Sequence, residues 1–172
     1  MSEPHTLPFD PIRRAAELWE EQFGADSPIA AMASATSVMR VQQILLARLD
    51  AALAPFDLTF ARYEALVLLS FSRRGEMPMS KVGERLMIHP TSVTNIVRRL
   101  AAQRLVEQVP NPRDGRGTLA RITPAGNEVV ETCTAALHDI DFGLGSLNQD
   151  QHRELFQLLH AVRTEQGDFR ED

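Results

Sequence analysis

A mainly α-helical chain with one small β-hairpin is the predicted fold class, and three observations between Ser80 and Gly126 predict it. Two short apolar-faced segments, 81–87 and 90–103, meet at the turn Met87-Ile88-His89. Two β-like runs follow, Leu105–Val109 and Leu119–Ile122, joined by the turn-rich Pro110-Asn111-Pro112-Arg113-Asp114-Gly115-Arg116-Gly117. A long helical pattern then opens at Thr123-Pro124-Ala125-Gly126. Helix, turn, helix, hairpin, helix is the order of a winged helix-turn-helix, a shape suited to reading DNA.

The remaining elements take their places around that stretch. Residues 1–9 read as a flexible tail. Asp10-Pro11 is a helix start, with Asp as N-cap and Pro in the first turn. Ile12, Ala16, Trp19 and Phe23 recur at helical spacing until Gly24 closes the segment. Residues 24–34 read as a linker broken at Pro28. From about Ala35 to Ala54, Val38, Val41, Leu45, Leu49 and Leu53 share one helical face, and Pro55 stops it. Thr59 is a candidate cap for the next helix, on which Phe60, Tyr63, Val67 and Phe71 line up and Arg73-Arg74-Gly75 ends the run. Ser80 is a candidate cap for helix 81–87, which buries Val82 and Leu86. Pro90 starts the following helix, which buries Val93, Val97 and Leu100. Val129, Cys133, Leu137, Ile140 and Leu144 form the stripe of a helix over 125–145. Asn148 and Gln151 form a capping-box pair ahead of a last helix with Leu155, Leu158, Leu159 and Val162. The organisation is thus a tail and extra helix (1–34), a dimerisation helix (35–57), a winged helix-turn-helix (58–124) and C-terminal dimerisation helices (125–172).

Charge is distributed in a way the total conceals. The chain carries −5 overall, yet residues 81–121 hold Lys81 and seven arginines against Glu84, Glu107 and Asp114, a local +5. The rest therefore carries −10. Local charge governs contact with phosphate, so an acidic body with a basic head fits a DNA binder. No window holds ~18 uninterrupted apolar residues of a membrane span, and the N-terminus lacks a secretion signal. The single cysteine, Cys133, excludes an intrachain disulfide, so a cytoplasmic location is expected.

On the helix from Pro90, burying Val93, Ile96, Val97 and Leu100 leaves Thr91, Ser92, Thr94, Asn95, Arg98 and Arg99 for solvent or DNA. Short hydroxyls at the helix start let the backbone approach phosphate, and the helix dipole favours the same contact. Asn95 has the donor–acceptor pair that matches adenine, and Arg98 or Arg99 the fork that matches guanine. Ser80 joins this DNA-facing set. At the wing tip, Arg113 and Arg116 project from a glycine-rich turn suited to the minor groove, and Asp114 is placed to orient Arg116.

LTFARYEALVLL, SKVGERLMIHPTSVTNIVRRLAAQRLVEQ, NPRDGRG and ITPAG, in this order and spacing, resemble the MarR family of transcriptional regulators across about Ala35 to Val162. The resemblance implies an intertwined dimer joined through its N- and C-terminal helices, with two winged heads on a pseudo-palindromic operator. It implies that Asp114 and Arg116 form a salt bridge at a minor-groove contact, and that the helix from Pro90 is the recognition helix. It also implies a repressor released by a small phenolic or anionic effector, with Met39, Arg40, Gln43, Arg62 and Tyr63 as candidate lining. Trp19 in an extra N-terminal helix is similar to the urate-responsive branch, although Glu64 stands where that branch has Asp. A partner subunit is expected independently, because the terminal helices carry apolar stripes that one small head cannot cover.

Other function classes find less support. No GxSxG, HExxH, P-loop or GxGxxG is present, so an enzyme is not expected. No cofactor is expected either. His5, His89, His138, His152 and His160 are scattered, so no metal site is expected. Cys133 lies on an apolar stripe and reads as an inert buried thiol. A winged helix used as a protein-interaction or architectural module is the alternative, against which the basic wing argues.

Overall fold

The computed structural model describes residues 7–112, 114 and 117–170. The chain divides into two units, 1–48 and 49–172. In the first, α1 (Pro11–Phe23) begins where expected: Asp10 Oδ1 accepts from the Ile12 and Arg13 amides at 2.9 and 3.3 Å. Gly24, at φ 83°, ends it. Helix α2 (Ile29–Leu53) starts six residues before the predicted Ala35. Pro28 lies between α1 and α2, as expected, directly before the second helix, where a proline lacking an N–H costs nothing. Together with the turn behind it, this helix has the length and mean hydropathy of a membrane span. It nonetheless carries Arg40, Arg48 and Asp50, charges that are expensive in a lipid interior.

The second unit is built on α3 (Phe60–Ser70), α4 (Met79–Leu86), α5 (Pro90–Ala102) and α6 (Pro124–His138), with a three-stranded antiparallel sheet. The strands β1 (Glu76–Pro78), β2 (Val106–Pro110) and β3 (Thr118–Ile122) lie in the order β1-β3-β2. The short edge strand β1 escaped the sequence reading. It pairs Glu76 with Arg121 and Pro78 with Leu119. Tyr63, Leu66, Leu69, Val82, Val93, Val97, Leu100, Val106, Ala120, Ile122, Cys133 and Leu137 form the core, each large aliphatic worth about 1.5–3 kcal/mol when removed from water.

Several local expectations are corrected. Thr59 occupies the N-cap backbone position of α3, but its hydroxyl does not cap. Asp50 does so from α2, accepting from the Phe60 amide at 2.7 Å. Phe71 lies beyond α3 and is 83% exposed, and the buried face is Tyr63, Ala65, Leu66 and Leu69. Ser80 sits inside the first turn of α4, whose cap position is Pro78. The predicted helix 125–145 ends at His138, and Asp141, Phe142 and Gly143 all have positive φ. Ile140 and Leu144 therefore do not continue the α6 stripe. Thr123 does cap α6, its Oγ1 accepting from the Gly126 amide at 3.0 Å. A Cβ at Gly126 would strike the Leu105 carbonyl oxygen and Ile122, so only glycine lets α6 leave the sheet this closely. The capping box of Asn148 and Gln151 opens α7 (Gln149–Glu165) as expected.

Candidate nucleic-acid interface

The interface is built on α5. Proline in its first turn presets the backbone, and Val93, Val97 and Leu100 anchor one side in the core. The opposite side is the polar row expected: Thr91, Ser92, Thr94, Asn95, Arg98 and Arg99 are all exposed. Ile96 is only half-buried. Ser80, at the start of α4, is exposed as well.

Hydrogen bonds distinguish the members of this row. Arg98 Nη2 donates to Asn95 Oδ1 at 2.8 Å, so the two side chains form one donor-rich unit. Thr94 donates its hydroxyl to the Pro90 carbonyl at 3.1 Å, leaving only its oxygen lone pairs for an outside partner. The Thr91 and Ser92 hydroxyls and the Arg99 guanidinium have no protein partner among the described residues.

His89, expected only as part of the turn Met87-Ile88-His89, is the N-cap of α5. Its Nδ1 accepts from the Thr91 amide at 3.3 Å. Its carbonyl accepts from the Ser92 and Val93 amides at 2.9 and 3.2 Å. Pro90 has no N–H, so every first-turn donor is used within the protein. The expectation that this backbone turn would bind phosphate is thereby narrowed to the side chains around it. The signal for the capping role was the position directly before Pro90.

The wing follows directly. β2 and β3 pair from Val106↔Ile122 to Pro110↔Thr118. The turn beyond is closed by the Asn111 amide on the Gly117 carbonyl at 2.9 Å and the Gly117 amide on the Asp114 carbonyl at 2.8 Å. Arg113 and Arg116 lie outside the described residues, and with them the expected pairing of Asp114 with Arg116. At the wing base, Arg121 reaches Glu76 through Nε and Nη2 at 2.8 and 2.7 Å. Lys81 pairs with Glu84 at 2.6 Å on α4.

The candidate effector residues are spread over both units. Trp19 packs against Phe23 with the rings tilted by 47° and their centroids 4.8 Å apart. Met39 is exposed, and Arg40 donates to Gln43 Oε1 at 3.2 Å. Arg40 also borders a cavity of about 460 Å³ lined by Leu7, Phe9, Ile12 and Thr36. Arg62 donates to the Asp57 carbonyl at 2.8 Å and to Thr59 Oγ1 at 3.3 Å. Tyr63 is buried, its hydroxyl 2.8 Å from Thr134 Oγ1. Both therefore have structural partners already. Glu64 is exposed as a residue, yet partial burial of its carboxyl raises its pKa. Cys133 is fully buried, which pushes its thiol up to about 11. No group of three His, Cys, Asp or Glu converges as metal ligands among the described residues.

Known proteins share this fold. A sequence profile of the MarR family matches residues 56–117. The multiple antibiotic resistance protein MarR of Escherichia coli is 30% identical over 109 residues, covering 63% of this chain and 67% of that protein. The chain spans 61–67% of the length of the curated relatives it matches. The crystal structure of Sco5413, a MarR family transcriptional regulator from Streptomyces coelicolor, is 56% identical, with a TM-score of 0.77 over 83% of this chain and 99% of that one. Sco3205 from the same organism, solved in complex with DNA, shares the fold at 24% identity and a TM-score of 0.68, over 74% of this chain and 84% of that one.

Proposed function

The chain belongs to the MarR family of transcriptional regulators, and from that premise we propose that it is a homodimeric repressor of a pseudo-palindromic operator, released by a small anionic or phenolic effector. The observation that carries the DNA-reading part is α5 itself: three buried aliphatics hold it while six polar side chains are exposed on its outer side. That row offers hydroxyls for phosphate, an amide for adenine and guanidinium groups for guanine. In this reading Ser80, Thr91, Ser92 and Thr94 position the head on the backbone, and Asn95, Arg98 and Arg99 read base edges. Arg113 and Arg116 enter the minor groove beside Asp114. No step calls for a catalyst or cofactor, so the protein acts by binding alone, in the cytoplasm. Trp19, Met39, Arg40, Gln43, Arg62 and Tyr63 remain the proposed effector contacts.

The test is a titration of the full chain with a duplex from its own upstream region and with a scrambled duplex of equal length. Tighter binding to the upstream duplex is expected, falling steeply as salt is raised. Equal affinity for both duplexes, or none for either, would refute the reading. The sign of regulation is read from transcription of the adjacent genes after the chain is deleted, where a repressor's loss raises expression.

A further inference from the structure

Arg73-Arg74-Gly75, which ends the α3 segment, has no part in the interface above. Gly75 adopts φ 66°, and a Cβ there would press on Ile122 at 3.1 Å. Its carbonyl accepts from the Ile122 amide at 2.8 Å and its amide donates to the Ser72 carbonyl at 3.0 Å. The turn is therefore tied to β3, and it carries the two arginines to the outer face of the sheet. Register places Glu76, Pro78, Leu119 and Arg121 on that same face.

A cavity of about 350 Å³ opens there, lined by Arg73, Arg74, Glu76, Pro78, Leu119 and the first wing residues Asn111 and Pro112. Its floor is apolar: Leu119 is buried, and two proline rings flank it. Its rim is cationic. Arg73 and Arg74 have no carboxylate or carbonyl partner among the described residues. The one acid, Glu76, is held by two bonds from Arg121 and is thereby neutralised. An apolar floor under two unpaired guanidinium groups suits a small hydrophobic monoanion, the ring on the prolines and leucine and the charge at the rim. Inorganic phosphate would satisfy the rim only, and a neutral ring the floor only.

We propose that this cavity binds a small aromatic carboxylate and acts as an effector site separate from the residues around Tyr63. This deepens the effector part of the function proposed above and rests on it. Asn111 and Pro112 belong to the turn that carries the wing tip, so an occupant bridges the α3–β1 turn to the wing and biases the wing's setting.

The test uses the full chain, isotopically labelled, titrated with benzoate and followed by amide resonances. Saturable shifts are expected at Glu76, Asn111 and Leu119. Benzamide, the uncharged analogue, and inorganic phosphate should each bind roughly tenfold more weakly or worse. The double variant Arg73→Gln/Arg74→Gln should keep the wild-type spectrum elsewhere, lose benzoate affinity by a similar factor and bind the upstream duplex within about twofold of wild type. Saturating benzoate should weaken duplex binding by wild type and not by that variant. Shifts confined to other residues, equal binding of benzamide, unchanged benzoate affinity in the variant, or benzoate binding without effect on DNA each overturn the proposal. So does a variant that loses duplex affinity without benzoate, since the arginines would then be phosphate contacts. No duplex binding by wild type in the absence of benzoate counts instead against the DNA-reading function.

Discussion

The bond from Arg98 Nη2 takes one lone pair of Asn95 Oδ1, the oxygen that a bidentate contact with adenine also uses. If Asn95 reads a base, either Arg98 releases the amide on binding, or the pair stays joined and presents the second Oδ1 lone pair, Nδ2 and the remaining guanidinium donors. In both, the two side chains are energetically coupled. Asn95→Ala and Arg98→Ala should each relax base preference by about 1–3 kcal/mol at one operator position, and the double variant should lose less than the sum, by about 0.5–3 kcal/mol. A double-mutant cycle on cognate and point-substituted duplexes measures this, and strict additivity would mean that the bond plays no part on DNA. Cys133 makes a simpler case. A thiol raised to about 11 by burial leaves about one molecule in a thousand as thiolate at pH 8. Native protein should react with a disulfide reagent at least a hundredfold more slowly than unfolded protein, and prompt modification at pH 8 would show that the site opens.

At the scale of the element, the wing and the recognition helix divide the work differently. A guanidinium in the minor groove meets phosphate potential whatever the bases are, so Arg116→Ala should weaken cognate and scrambled duplexes alike and lower the salt slope by about one. A loss confined to the cognate duplex would move Arg116 from positioning to base reading. These elements were legible because their signals are local. Proline in the first turn of α5, Thr123 ahead of Pro124, and Asn148 with Gln151 each specify a helix start through chemistry within four residues. What was missed depends on partners far away in sequence. Thr59 lost its capping role to Asp50, which reaches in from another helix. The three residues of β1 become a strand only because β3 offers an edge. Helix α6 stops at His138, where residues 141–143 turn left-handed, and two of those three are not glycine, so composition gave no warning. Of the interface, burial of Val93, Val97 and Leu100 was readable from spacing, and so the exposed row was too. The cap supplied by His89 was marked only by its place directly before Pro90, because histidine is not among the usual capping residues.

At the scale of the whole molecule, the question is what covers α7. It has no buried residue, and Phe156, Leu158, Leu159 and Val162 are exposed, the second and fourth at 64% and 62%. In the first unit Leu18, Trp19, Phe23, Val38 and Met39 are exposed as well. Large apolar side chains at helical spacing, left in water, would forgo about 1.5–3 kcal/mol each, and contiguous apolar surface of this kind marks an interface. A second copy supplies the same stripes, which a two-fold axis brings against one another. The pair Leu158→Glu and Val162→Glu therefore tests the dimer without disturbing the protomer, since neither side chain is part of its core. Four apolar side chains are replaced per dimer, so the dissociation constant should rise by roughly 10⁴-fold or more. Sedimentation at micromolar concentration should show a monomer, while circular dichroism keeps its helical signal. On DNA the monomer retains one head. Affinity for a single half-site should be nearly unchanged, whereas affinity for the full operator should fall by about 10²–10⁴, the gain that comes from joining two sites. A variant that still sediments as a dimer would place the interface elsewhere, and one that binds the full operator as tightly as wild type would show that two heads are not needed to read it.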